Sequence, residues 1–300
     1  MTELRLTEAI HGIETLARRD PGSRGIASFA ETSHLYSAAT ELLSGERVIL
    51  ATGFCIRAAM IGENDGPSGT LALADALHQL GKEVVLLTDT HSSGLLSAGA
   101  AVYGKRFTTI SLSLPQSETD RVIDDLLSSF APTQVVAIER PGNAADGHRY
   151  SMRGEMLDDL VPAADRLLEP PYPRSFRTIA IGDGGNELGL GSLRNALKSR
   201  VAHGELIFCA TPADYVITAG ISNWGAFALV AALSLLAGRL LMRPPEHELA
   251  VLKALLAAGA VDGCTKEAAL SVDGLPWDDY ASTIADIYEA TRASLISVTP

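Results

Sequence analysis

Short apolar runs alternate along this chain with stretches of helical spacing. Residues 47–51 (RVILA), 83–87 (EVVLL), 107–114, 134–138 (QVVAI), 178–181 and 206–209 are rich in aliphatic and β-branched side chains and read as six strands. Between them the apolar positions take helical spacing. Residues 67–80 start at Pro67 and stop before Gly81, residues 92–103 are small and apolar, and residues 117–130 are acidic, with Ser117 as the expected cap. Ahead of the first strand, residues 1–20 read as an amphipathic helix with Leu4, Ile10, Ile13 and Leu16 toward one face. After residue 211 the pattern turns helical, over 224–238, 246–258 and 277–293, and the proline-rich 168–175 reads as a loop between substructures.

Strands alternating with helices across short connections predict a parallel sheet covered on both faces. The expected fold is therefore α/β: a mostly parallel open sheet of six or more strands, a Rossmann-like three-layer sandwich. One domain is expected over residues 1–300, with an N-terminal helical segment to about residue 45 and a helix-rich part from about 211 to the end. Right-handed crossovers bring the strand exits to one edge, so the loops at 52–66, 88–91, 139–149 and 182–187 should face a common crevice. Open α/β sheets bind their ligands there.

The most informative of these loops follows residues 178–181. Gly182-Asp183-Gly184-Gly185-Asn186-Glu187 ends the run abruptly, and Gly189 and Gly191 follow. Gly184 and Gly185 would let a ligand approach the backbone closely, beside Asp183, Asn186 and Glu187. A dinucleotide loop would need glycine where Glu187 stands, and two carboxylates repel a phosphate. A metal or an ammonium group suits the loop better; an Asp-Gly turn with helix-capping acids is the structural alternative.

The other exits add candidates. Asp65 precedes Gly66-Pro67 and suits either an N-cap or an acid of the site; Asp89 precedes His91-Ser92-Ser93. At Glu139-Arg140, the arginine could fork a carboxylate, or form an ion pair with Glu139 or Asp183 that only organises the loops. The polar stretch from Asn143 through Asp146, Tyr150 and Arg153 could fold over the crevice. Ser222 or Asn223 would cap the helix behind it and could present its N–H groups to an anion. The histidines lack metal-ligand spacing, and no Ser-His-Asp or Cys-His set is recognisable.

Charge and cysteine content narrow the partners. With 36 acids against 24 lysines and arginines the formal net charge is −12, and no basic patch suggests nucleic acid or a membrane surface. An anionic small molecule would need a local arginine, lysine or metal. Cys55, Cys209 and Cys264 are too few and too far apart for a disulfide framework, which suits a reducing cytoplasm; Cys55 reads as a buried filler. The acids of the first twenty residues argue against a leader, and the apolar run at 224–238 is too short for a membrane span. Homo-oligomerisation stays open.

The chain resembles the D-glutamate cyclase-like, C-terminal family, formerly a domain of unknown function. The likeness rests on Asp65-Gly66-Pro67, Ala137-Ile138-Glu139-Arg140-Pro141-Gly142, Asp146-Gly147, Met152-Arg153-Gly154 and above all residues 181–189, IGDGGNELG. It runs from about residue 45 to the end; longer mitochondrial members carry a further N-terminal domain. The resemblance implies a hydro-lyase that cyclises D-glutamate to 5-oxo-D-proline and water. Such chemistry needs a neutral amine, an activated γ-carboxylate and an acid for the leaving water. Asp183 is the expected base, or a ligand with Glu187 of a divalent metal such as Mn or Mg, and Asp65 is the second acid. Arg140 is the expected clamp for the α-carboxylate, beside Glu139, with Asn186 or Asn223 as oxyanion donor over Gly184 and Gly185. Two rivals use the same crevice: a non-catalytic module binding an amino acid or a divalent cation, and a metal-assisted phosphate-ester hydrolase.

Overall fold

The computed structural model describes residues 3–21, 26–29 and 34–296. Its first half contains α1 (Glu3–Ala17), α2 (Ile26–Phe29), α3 (Leu35–Ser44), β1 (Arg47–Thr52), the short pair β2 (Cys55–Ile56) and β3 (Ile61–Gly62), α4 (Pro67–Gln79), β4 (Glu83–Asp89), α5 (Ser93–Val102), β5 (Thr108–Leu112), α6 (Gln116–Phe130) and β6 (Gln134–Ile138). There follow β7 (Arg177–Gly182), α7 (Arg194–Leu197), α8 (Gly204–Ile207), β8 (Tyr215–Thr218), α9 (Ser222–Ala237), α10 (Pro245–Ala257), the short pair β9 (Ser271–Val272) and β10 (Leu275–Pro276), and α11 (Trp277–Ile296).

Six strands form one sheet in the order β5-β4-β1-β6-β7-β8, and every pairing is parallel. Chain order thus reverses between β1 and β6, the position at which doubly wound sheets open a crevice beyond their carboxyl ends. Period-two alternation splits the core. Val48 and Leu50 of β1 enter the larger cluster, under the helices α1, α3, α4, α5, α9, α10 and α11; Ile49 and Ala51 enter the smaller one, under α6 and the turn at Asp165–Leu167. Helices therefore cover both faces, unequally. At the centre of the larger layer lies α9, apolar on every side and buried from Ser222 to Leu235 because α1, α3, α4 and α11 surround it. Among the described residues no helix is long and apolar enough to cross a membrane.

Three expectations need correction. Residues 206–209 are not a strand: α8 turns there, tucking Ile207 and Phe208 into a satellite cluster, and the sixth strand is β8. A four-residue apolar run fits a strand or a buried helical turn equally well. The N-cap of α6 is Pro115, without a side-chain cap, so Ser117 lies inside the helix. In α1, Ile10 and Ile13 are buried, but Leu4 stands out in solvent on the first turn.

Candidate active site at the β1–β6 switch point

The glycine loop after β7 is an amide cradle filled by its own side chain. Glu187 accepts the N–H groups of Asp183 and Gly184 on Oε1, at 3.0 and 2.6 Å, and that of Gly185 on Oε2, at 2.6 Å. The donors that would cradle a dinucleotide's pyrophosphate are thereby spent on a carboxylate. Gly185 is obligatory: its φ is +102°, and a Cβ there would lie 2.6 Å from the Phe208 ring. Glu187 thus serves the loop backbone, and the acids that gather around Asp183 are Asp65 and Glu139.

The exit of β6 separates its two charged residues. Glu139 takes a left-handed φ of 44°, unusual for a side chain of its size and a form of strain that concentrates at functional sites. Its turn sends Arg140 the other way. Arg140 is completely buried, paired with Asp89 and donating to the carbonyls of Gly53 at 3.2 Å and Pro162 at 2.8 Å. It ties together the exits of β1, β4 and β6. The expected substrate clamp is therefore an internal brace, and its partner is neither Glu139 nor Asp183.

Asp65 and Asn223 exchange caps. Asp65, expected to cap its own helix, instead accepts the N–H groups of Ser222 at 3.0 Å and Asn223 at 2.8 Å, at the start of α9, besides that of Gly66 at 3.0 Å. In return Asn223 Oδ1 accepts the N–H groups of Gly66 at 3.0 Å and Gly69 at 2.7 Å, at the start of α4, and its Nδ2 donates to the Asn64 carbonyl at 3.2 Å. Neither Ser222 nor Asn223 caps α9 with its side chain. Asn223 is thus a structural clasp rather than an oxyanion donor. The arrangement points the positive end of α9 at the Asp65 carboxylate and that of α4 at the Asn223 amide.

These constraints bring three acids from distant parts of the chain together. Asp65, Glu139 and Asp183 are all buried, and one carboxylate oxygen from each lies within 4.8 Å of the others. Ser222 Oγ donates to Glu139 Oε2 at 2.5 Å. Burial, then the charges of Asp183, Glu187, Asp65 and Glu63, push the Glu139 carboxyl well above the usual carboxylate range. Such a cluster requires a proton or a cation. An all-carboxylate donor set of this size could hold a hard divalent ion.

Glu139 opens into a cavity of about 450 Å³, the size of a small-molecule site. Its walls include Phe54, Glu63, Met152, Arg153, Asn186, Arg200, Cys264 and Asp273. Asn186 faces this cavity while donating Nδ2 to the Tyr150 carbonyl at 2.8 Å. Gly184 is covered by Met152, whose sulfur lies 2.5 Å from where a Cβ would stand. The 143–153 stretch is pinned rather than hung as a flap: Arg149 is buried and donates to the Val161 carbonyl at 3.0 Å and to Asn143 at 2.8 Å. Of the acids on this wall, the sequence marks Glu63 as one of a pair with Asp65 ahead of α4, and does not mark Asp273. Nothing local distinguishes Asp273 from a turn residue.

Residues 13–288 match the family described as D-glutamate cyclase-like, C-terminal. The chain belongs to that family. The match starts within α1, well before residue 45, so the N-terminal helices are part of the shared unit. The chain is 33% identical over 242 residues to human D-glutamate cyclase, mitochondrial, an alignment covering 77% of this chain and 39% of that protein. This D-glutamate cyclase-like chain thus spans about two-fifths of the relative's length.

Proposed function

We propose that this chain is itself a hydro-lyase, cyclising an acidic amino acid of the D-glutamate type to its lactam and water at the Glu139 cavity. The carrying observation is the convergence of Asp65, Glu139 and Asp183, with Glu139 opening into the cavity. Cyclisation moves two protons from an ammonium nitrogen to an oxygen that departs as water. Asp183 takes the first proton, freeing the amine to attack the γ-carboxyl carbon. Glu139, whose carboxyl burial and acidic neighbours push well above the usual carboxylate range, enters the cycle protonated in this scheme and delivers its proton to the γ-carboxyl oxygen. The resulting Glu139 carboxylate accepts the second N–H proton as the tetrahedral intermediate collapses. The proton held on Asp183 completes the water, and both acids return to their starting states. Asp65, stabilised by three N–H groups, supplies fixed negative charge that attracts the ammonium. Asn186 lines the same cavity and is placed to orient the γ-carboxyl group.

A divalent cation on Asp65, Glu139 and Asp183 is the second reading; Mn or Mg suits the all-oxygen donor set and would supply Lewis-acid polarisation of the carboxylate. The test is a time course of the purified chain with D-glutamate, with and without Mn²⁺ or Mg²⁺. Lactam formation that disappears in Asp183→Asn while the fold survives supports the enzyme. Thermal stabilisation by D-glutamate with no lactam assigns a binding module instead. All three cysteines are free, which supports a reducing compartment such as the cytoplasm, although the human relative is named mitochondrial.

A further inference from the structure

An acid-lined cavity in a chain of net charge −12 repels a carboxylate unless a cation stands nearby. The two buried arginines closest in sequence are already committed: Arg140 to Asp89, and Arg149 to Asp158. Arg153 differs. Like Arg200 it lines the same cavity as Glu139, and its Nη2 donates to the carbonyl of Cys264, another lining residue, at 3.1 Å. That partner is neutral, and among the described residues no ion pair holds Arg153. A guanidinium has five donors, so this contact leaves its fork available.

The backbone beneath Arg153 is fixed to the acid site. Gly154 N–H closes a tight turn onto the Ser151 carbonyl at 2.9 Å, and Ser151 Oγ accepts the N–H groups of Arg153 and Glu155, both at 3.2 Å. One residue earlier, the Tyr150 carbonyl is held by Asn186, and Met152 packs onto Gly184. The turn that carries the arginine is thus docked on the glycine loop that carries Asp183.

We propose that Arg153 binds the substrate's α-carboxylate, so that the cavity selects zwitterionic amino acids, with ammonium toward the Glu139–Asp183 acids and carboxylate toward the guanidinium. This rests on the cyclase reading above, and it gives Arg153 the part that Arg140 cannot play. The Cys264 carbonyl then acts as a rest that holds the guanidinium at the cavity wall before the ligand arrives.

Arg153→Gln and Arg153→Lys test it. Arg153 is exposed, so both variants should fold. Calorimetric titration with 5-oxo-D-proline, which keeps the α-carboxylate and lacks the γ-carboxylate, should show affinity falling about 10- to 100-fold in the Gln variant and less in the Lys variant. Binding of 5-oxo-D-prolinamide, which has no carboxylate, should be unchanged, and KM for D-glutamate should rise with kcat nearly constant. Equal weakening toward acid and amide, or none toward either, overturns the assignment. If the wild type turns over D-glutamate and Arg153→Gln leaves KM unchanged, this inference fails while the cyclase reading stands. If the wild type makes no lactam but binds D-glutamate in an Arg153-dependent way, the cyclase reading fails and this inference stands. Failure of the wild type to bind D-glutamate or 5-oxo-D-proline overturns both.

Discussion

Asn223→Ala separates a structural clasp from a substrate contact. The variant removes three hydrogen bonds: those from the Gly66 and Gly69 N–H groups to Oδ1, and that from Nδ2 to the Asn64 carbonyl. Gly66 N–H keeps Asp65 as acceptor, at 3.0 Å. Gly69 N–H lies in the first turn of α4, where no carbonyl of the helix can reach it, and it has no such substitute. The residue is fully buried, so water does not readily replace the lost partners. One orphaned donor and one acceptor that loses its donor, at roughly 1–3 kcal/mol each, predict a loss of about 2–6 kcal/mol. Equilibrium urea denaturation measures this, read by the fluorescence of Trp224, which is buried beside the clasp. At sub-denaturing urea the variant should retain much of any lactam-forming activity, because Asp65, Glu139 and Asp183 are untouched. Unchanged stability together with lost turnover would refute the reasoning and return Asn223 to the substrate.

Two further predictions concern protonation. The turnover proposed here uses Glu139 in its protonated form, so the rate should fall as pH rises through that group's elevated pKa; Glu139→Gln should be slow, and its pH–rate profile should lack that alkaline limb. An unchanged profile in the variant would remove Glu139 from proton transfer. Away from the site, burial pushes Glu248 up to about 7, where Ser68 at 2.5 Å and Tyr280 at 2.9 Å hold its carboxyl between α4, α10 and α11. The folded state then binds this proton more tightly than the unfolded chain. Its contribution to stability is fully present below about pH 4.5 and fades as pH rises to about 7, amounting to roughly 3 kcal/mol in all. Glu248→Gln should flatten the stability–pH curve over that window, and denaturation series at pH 5 and pH 8 would detect a curve that stays as steep as in the wild type.

Local pattern carried the fold a long way. The strands β1, β4, β6 and β7 were legible because a strand buried on both faces must be apolar throughout, and α9 because only a fully surrounded helix is apolar on every side. The run at 206–209 misled because four apolar residues do not distinguish a strand from a helical turn packed on a cluster, and β8 was passed over just beyond it.

The chain by itself determined that acids would gather at the strand exits, since parallel strands joined by right-handed crossovers send every exit to one edge. Only the tertiary structure decided what each polar group would do there. Buried N–H groups must find acceptors, and the nearest in space need not be near in sequence. Glu187 therefore filled its own loop, Asp65 and Asn223 crossed to each other's helices, and Arg140 turned inward to Asp89. The convergence of Glu139 with Asp65 and Asp183, and the presence of Arg153 on the wall of the cavity that Glu139 lines, follow from packing geometry that spacing along the chain does not encode.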